Sequence, residues 1–335
     1  MANIIENFNL RSYNTFGIDA VCGFFAESNS VDELKSIVKN HRNLKTFILG
    51  GGSNILFTSN FEGLVIYPTI KGFEIIAEDN ETVTLSVAAG ENWDDFVNFA
   101  VKNGWGGVEN LSLIPGNVGA SPIQNIGAYG VEAKDTIFEV KGFYLDTLAN
   151  FSFTNSECNF GYRDSIFKNE LKGKVLITHV WFRLQKQPIL VTHYGNLVEE
   201  IEKTGDKTIA GVRKAVIGIR ESKLPDPKVL GNAGSFFKNP VIEIELFNQI
   251  KSRYPQVPSY PVDEYNVKLP AGWLIEICGW KGKQLGNAGV HAKQALVIVN
   301  NGGALGREVL TLAKSIKESV FSEFKVDIEM EVNIL

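Results

Sequence analysis

The sequence predicts an α+β protein of more than one domain. Three observations support this. At 335 residues and 44% hydrophobic content, the chain can bury a large core in two or three domains. Apolar and β-branched runs of strand length share the chain with stretches of clear helical period. A Pro-rich break, LPDPK at 224–228, separates a strand-rich portion from a second mixed one.

The elements follow in order. Ser30 and Glu33 form a capping box that opens a helix over about 31–42. Thr46-Phe47-Ile48-Leu49 reads as a buried strand emptying directly into Gly50-Gly51-Gly52-Ser53-Asn54, with further strands at 64–67 and 83–88. Residues 92–103 form a helix with Trp93, Phe96, Val97, Ala100 and Val101 on one face, and Gly104 is placed to end it in a left-handed cap. The stretch IPGNVGASPIQNIGAYG at 114–130 has almost no period. Strands return near 137–145 and 175–184, and a helix near 208–221 precedes the break. Helices near 243–253 and 305–324 follow. In the terminal VDIEMEVNIL, Val326, Ile328, Met330, Val332 and Ile334 alternate with polar residues, which predicts a strand. GNAG occurs at 231–234 and 286–289, but the flanks differ and no repeat follows.

Bulk charge and cysteine usage narrow the function. A net charge of −5 argues against nucleic-acid binding, which calls for a basic excess or stripe. Cys22, Cys158 and Cys278 lie far apart without CxxC spacing, so free thiols are expected and no metal site. The start MANIIENFNLRSYNTF is too polar for a signal peptide, and no apolar run reaches membrane-spanning length. A cytoplasmic protein without a membrane partner is expected.

Two glycine loops carry the first functional signal. Consecutive glycines after a strand expose N–H groups that can converge on a phosphate, with Ser53 and Asn54 as added donors. The pattern is neither GxGxxG nor GxxxxGK[ST]. Seventeen residues without regular structure at 114–130 point to a functional loop, anchored by Ile114, Val118, Ile123, Ile126 and Tyr129. Two such loops suggest a long cofactor held by its pyrophosphate, a flavin dinucleotide before a mononucleotide.

Sharper constellations lie downstream. GNAGSFFKNP at 231–240 places Ser235 in a bend whose glycines let the main chain aim the hydroxyl. Phe236 and Phe237 are positioned to exclude water around it, and Lys238 adds a positive charge. GYRDS presents Arg163, and YGNL places Tyr194 in a short turn. Arg220, Lys223, Lys228 and Lys238 make a cationic run into the Ser235 loop, an anion-binding rim if it is more than a solvated edge. Lys281, Lys283 and Gln294 precede an apolar run, His291 lacks a metal-ligand partner, and Glu331 lies on the polar side of the last strand.

The ordered set GGSNILF, IPGNVGASPIQNIGAYG, GYRDS, YGNL, LPDPKVLGNAGSFFKNP, AGWLIE, GWKG, HAKQALV and EMEV resembles the UDP-N-acetylenolpyruvoylglucosamine reductases, the MurB family, over about residues 15–331. The loop around Tyr194 is similar to that of the type I branch, where it covers bound substrate. The resemblance implies a two-part FAD-binding module of the vanillyl-alcohol-oxidase type, with parts at 1–67 and 68–223. It further implies a C-terminal α+β domain at 224–335 that binds the UDP-sugar, its last strand returning to the active site. NADPH would reduce a non-covalent FAD, which would reduce the enolpyruvyl ether to UDP-N-acetylmuramate for peptidoglycan synthesis, in a monomer.

Residue by residue, the resemblance makes Ser235 the proton donor, with Arg163 and Glu331 polarising and orienting the substrate carboxylate and enol. Tyr194, Arg220, Lys223, Asn239, Lys281, Gln294 and Tyr129 match substrate-contacting positions. Gly50, Gly51, Gly52, Ser53, Asn54, Pro115, Gly116, Gly119, Ser121, Gln124, Asn125 and Gly127 fall to the cofactor. The chemistry agrees: addition at the β-carbon drives electron density onto the α-carbon and carboxylate, where cations stabilise it, and the basic intermediate can take a proton even from a serine. The family usually continues beyond EMEV, whereas this chain stops at Leu335, so fraying is expected around Glu331. Two other classes fit less well. A flavin oxidase or dehydrogenase of the same fold often tethers its cofactor through histidine or cysteine, and neither loop contains one. A non-catalytic UDP-sugar sensor would not need both Ser235 and Arg163.

Overall fold

Residues 4–8, 22–51 and 62–222 form one unit of the computed structural model, which describes residues 4–335. Its first sheet has four strands in the order Ile4–Asn9, Val21–Ser28, Phe61–Pro68 and Thr46–Ile48, with Thr46–Ile48 running parallel to Leu64–Ile66. Helix α1, Val31–Asn40, buries Leu34, Ile37 and Val38 in a cluster with Ala26, Leu64 and Ile66. Its cap differs from the expected box. Ser30 accepts the Glu33 N–H at 3.4 Å, but the Glu33 carboxylate takes the Ser28 hydroxyl at 2.7 Å, and Ser28 accepts the Ser30 N–H. Ser28 thus supplies the return half.

The second sheet is antiparallel, in the order Asn150–Thr154, Ile137–Tyr144, Val175–Gln185, Thr82–Ala88, Phe73–Glu78. The strands at 4–9, 21–28, 73–78 and 150–154 were not legible from periodicity. Helix α2, Trp93–Lys102, starts at Asn92, whose side chain accepts the Asp95 N–H, and ends before Gly104 at φ +78°. Trp93, Phe96, Val97 and Ala100 are buried with Leu85, Val180 and Phe182, and the Phe96 and Phe182 rings lie 4.6 Å apart. Helix α3, Leu197–Thr204, is another element the sequence did not signal. It packs with α4, Ile209–Lys223, through Leu197, Ile201, Val212, Ala215, Val216 and Ile219, and Tyr129 lies against this cluster.

The second unit takes residues 9–21, 52–61 and 223–335. An antiparallel sheet runs Gly231–Ser235, Val297–Asn300, Ala288–Val290, Gln284–Leu285, and a smaller one runs Val241–Glu243, Asn266–Lys268, Tyr260–Pro261. Helices α5, Ile244–Arg253, α6, Ala271–Ile277, and α7, Gly306–Phe324, complete it. Tyr254, Trp273 and Phe324 join all three around an aromatic knot. The N-terminal insert is held by polar side chains: Asn300 donates to the Phe16 carbonyl at 2.8 Å, and Asn14 brackets its own loop through Leu10 and Ile18.

The terminal segment departs from the predicted strand. Only Asn333–Ile334 is regular, parallel to Ile55–Leu56, with a bridge between Met330 and Phe237. Val326, Ile328 and Val332 are buried as the alternation requires, while Ile334 is exposed. The expected fraying is absent: Thr58 donates backbone and hydroxyl bonds to the Leu335 carbonyl, both at 2.7 Å. The cysteines are free thiols as expected, and burial pushes Cys158 up to about 12. Among the described residues, no helix is long and apolar enough to cross a membrane.

One ion pair ties the first unit together. Asp94 of α2 takes a two-pronged bond from Arg213 of α4, at 2.6 and 2.8 Å, and accepts the Leu113 N–H at 2.5 Å. Burial works to raise the Asp94 carboxyl, but the Arg213 fork, the Leu113 N–H and the Arg220 charge outweigh it, leaving it below its ordinary value. Because the folded value lies below the unfolded one, the stabilisation is present above about pH 4 and lost as pH falls through the folded value. Asp94→Asn should cost about 3 kcal/mol at neutral pH, since it strands a largely buried guanidinium. Urea melts of wild type and variant should converge under acid, and a gap independent of pH would refute the assignment.

Candidate active site

The two glycine loops meet. A Cβ on Gly51 would lie 2.7 Å from the Gly116 Cα and 3.1 Å from the Asn117 Oδ1, one on Gly50 would touch the Ala120 Cβ at 3.4 Å, and one on Gly119 would lie 2.6 Å from that of Ala89. At Gly51 and Gly119 only hydrogen lets the chain approach so closely, whereas Gly50 makes an ordinary contact. Among the described residues the N–H groups of Gly50, Gly51 and Gly116 find no acceptor. Unpaired main-chain donors on closely approaching glycines suit a phosphate, so these residues fit a dinucleotide cofactor. Gly52, at φ +62°, lies in the second unit, where a Cβ would collide with the Tyr13 carbonyl.

Other cofactor candidates are already committed to the protein. Ser121 is buried and bonds the Val118 carbonyl. Asn125 is fully buried, accepts the Lys134 N–H and donates to Glu132 and the Gly161 carbonyl. Asn54 donates to the Glu331 carbonyl, and its own carbonyl accepts two bonds from Asn333. Ser53, Pro115 and Gln124 belong to the same two loops.

Arg163, Tyr129, Tyr194 and Arg220 collect at the far end of the long loop. Strands Gly127–Ala128 and Val131–Glu132 form a hairpin whose two turn residues, Tyr129 at φ +50° and Gly130 at +82°, both take the left-handed conformation of a type I′ turn. A tyrosine there is strained, by about 1 kcal/mol or more. Asn125, at +45°, and Arg163, at +55°, share the conformation. Strained side chains gathered around one loop are a feature of functional sites. The Arg163 guanidinium donates to the carbonyls of Gly127, at 2.5 Å, and Asn125, and a Cβ on Gly127 would lie 2.8 Å from it. Gly127 is therefore small to admit the arginine.

The Tyr194 ring meets Tyr129 edge-on at 6.4 Å, while Gly195 beside it sits at φ +59° in open space. Burial raises the Tyr129 phenol and lowers the Arg220 guanidinium, each opposed by the other's charge. The Arg220 Nε is buried without a partner among the described residues. Two residues that the sequence did not flag hold this group in place. Asn110 donates to the carbonyls of Tyr129 and Val191, at 2.9 and 2.7 Å, and Asp94 anchors the helix that bears Arg220. Both lie in stretches that read as ordinary helix start and turn.

In the second unit, Ser235 ends a strand instead of occupying an open bend. It is exposed, and its hydroxyl has no partner among the described residues. Phe236 and Phe237 do not screen it. Both are buried in the core, Phe236 edge-on to Phe16, because they follow a strand end whose inner face is apolar. Glu331 is held by its N–H on the Phe236 carbonyl at 2.8 Å, so it adjoins the segment that follows Ser235. Asn239 accepts the first N–H of α6 at 2.9 Å, and Gln294 takes the Leu296 N–H. The cations are not a free rim: Lys238 pairs with Glu329 at 3.0 Å and Lys281 with Glu276 at 2.9 Å, while Lys223 and Lys228 are exposed.

Known proteins resemble this chain along its length. Residues 226–335 match the C-terminal domain of UDP-N-acetylenolpyruvoylglucosamine reductase, and residues 24–143 match an FAD binding domain. The UDP-N-acetylenolpyruvoylglucosamine reductase of Flavobacterium johnsoniae is 51% identical over 335 residues, covering 99% of each chain. That of Bacteroides fragilis is 48% identical over 331 residues, covering 98% of this chain and 99% of its own. The crystal structure of the Thermus caldophilus UDP-N-acetylenolpyruvylglucosamine reductase (MurB) shares the fold, with a TM-score of 0.71 at 22% identity over 100% of this chain and 98% of that one. With relatives this similar along its whole length, the chain belongs to the UDP-N-acetylenolpyruvoylglucosamine reductase family.

Proposed function

We propose that this chain reduces UDP-N-acetylglucosamine enolpyruvate to UDP-N-acetylmuramate, an oxidoreductase step of peptidoglycan precursor synthesis, with Ser235 as proton donor and Arg163 and Glu331 as its catalytic partners. FAD, when bound, supplies the two electrons that NADPH provides. Gly50, Gly51 and Gly116 would hold it by main-chain N–H groups, Gly119, whose own N–H is taken by the Ala89 carbonyl, would allow the close backbone approach, and Asn125, Ser121 and Asn54 keep the flanking loops in shape.

The observation that carries the reading is the Ser235 hydroxyl, exposed and unpaired at a strand end whose other side chains are packed inward. Addition of hydride to the β-carbon leaves a carbanion at the α-carbon, and this hydroxyl delivers the proton that quenches it. The Arg163 guanidinium, held by the Gly127 and Asn125 carbonyls, keeps positive charge fixed for the developing enolate, which is worth most when no reorganisation is needed. Glu331 orients the substrate carboxyl end. Tyr129, Tyr194, Arg220, Lys223, Asn239, Gln294 and Lys281 bind the UDP-sugar. Binding through Lys281 exchanges Glu276 for a phosphate, so that contact adds less than an unpaired lysine would. The reaction is placed in the cytoplasm, where UDP-sugars and NADPH are made, and the protein is taken as a monomer.

Rapid mixing separates the half-reactions. Ser235→Ala should leave flavin reduction by NADPH intact and slow the reaction with the enolpyruvyl sugar on the order of 10³-fold, while Ser235→Cys keeps part of the rate because a thiol also donates a proton. Equal loss in both halves would give Ser235 a folding role instead.

Tyr194 offers a second test. Tyr194→Phe keeps the edge contact with Tyr129 and loses only the hydroxyl, so KM should rise moderately with little change in flavin reduction. Limited proteolysis near His193 should slow when substrate is added, as a closing loop requires. Identical cleavage with and without saturating substrate would dismiss the lid.

A further inference from the structure

The exposure of Ser235 depends on an irregularity in its strand. Gly231 and Asn232 stand opposite Asn300 and Val299, but Ser235 stands opposite Val297, so Ala233 and Gly234 together face Ile298. One extra residue is therefore inserted, with Gly234 left-handed at φ +68°. Because strand side chains alternate in direction, removing that residue would send Ser235 to the opposite face and turn Phe236 out of the core.

A single buried amide holds the bulge. Asn232, 4% exposed, accepts the Gly234 N–H on Oδ1 at 2.9 Å. Its Nδ2 donates to the carbonyls of Leu230 at 2.8 Å and Pro225 at 3.2 Å, and its main-chain N–H bonds the Thr15 carbonyl at 3.0 Å. Only an amide side chain can accept from an N–H two residues on while donating to two carbonyls. Aspartate lacks the donors, and alanine lacks both.

We propose that Asn232 is a positioning residue for the proton donor: its amide fixes the left-handed Gly234 and thereby the direction of the Ser235 hydroxyl, and it locks the proline turn at 225–230 to the same point. The inference rests on Ser235 being the donor. Asn232 does not touch substrate in this account and acts through Ser235.

Rapid mixing of the FAD-loaded enzyme tests it. Asn232→Ala should leave reduction by NADPH unchanged and slow the reaction with saturating UDP-enolpyruvyl sugar on the order of 10²-fold, the penalty of misplacing a reacting group by about 1 Å. Substrate affinity measured by titration should hardly move. In the Ser235→Ala background the same substitution should add no further loss. Gly234→Ala provides a variant without a packing defect, since the added methyl meets nothing within 4 Å and only the backbone preference changes. It should show the same selective slowing, and Gly234→Asn should recover part of the rate because asparagine tolerates the left-handed region. Equal slowing of both half-reactions by Gly234→Ala, a wild-type rate in that variant, or a multiplied loss in the double variant would overturn the proposal. Ser235→Ala alone reports on the donor: a normal second half-reaction there would remove the donor assignment and, with it, this role for Asn232.

Discussion

The Asp94 carboxylate is the constraint on which the first unit's functional surface depends. Its two oxygens join α2, α4 and the entrance to the long glycine loop through Arg213 and the Leu113 N–H. Leu113 is itself left-handed at φ +58°, a conformation that needs such an anchor, and it leads straight into Ile114-Pro115-Gly116. Arg220 stands seven residues after Arg213 on α4, so the pair that fixes the helix also fixes the buried guanidinium two turns later. The long glycine loop and helix α4 thus share one electrostatic anchor, and each partner is buried enough to be weakly screened.

Beyond that anchor, part of the unfavourable backbone geometry falls where the proposal places chemistry, the rest lying at Asn7, Leu148, Asn159 and Lys325. Asn125, Tyr129 and Arg163 all adopt the left-handed region, and each is tied down by amide or guanidinium bonds to neighbouring carbonyls. Such strain persists only when surrounding contacts overdetermine it. The guanidinium of Arg163 is thereby oriented by the Gly127 and Asn125 carbonyls, and Tyr129 packs against α3, α4 and Tyr194.

The second unit solves a different problem, presenting one hydroxyl without a partner. It does so by packing everything around it. Phe236 and Phe237 fill the core, Asn232 spends its amide on three main-chain groups, and the Glu331 N–H closes on the Phe236 carbonyl. The chain end is tied by Asn54 and Thr58, so Glu331 sits on an ordered segment in spite of its position near the terminus.

Much of this was legible in the residues themselves. Helices at 31–40, 93–102, 209–223, 244–253 and 306–324 declare themselves through local period and caps, and the ordered motifs around Arg163, Tyr194, Ser235 and Glu331 point to the family and its chemistry. These signals are local, so sequence suffices. What tertiary structure alone decided lies in long-range pairings. Residues 9–21 and 52–61 fold with 223–335, although they are embedded in the N-terminal part. Asp94 finds Arg213 across more than a hundred residues, the two glycine loops come into contact, and Lys281 and Lys238 are matched by carboxylates that no spacing rule identifies. The direction of Ser235 belongs to the same class. Its sequence reads as a glycine bend with aromatic screens, but pairing with Val297 makes it a bulged strand end, because burial of Phe236 and Phe237 is worth more than leaving two large rings beside an exposed hydroxyl.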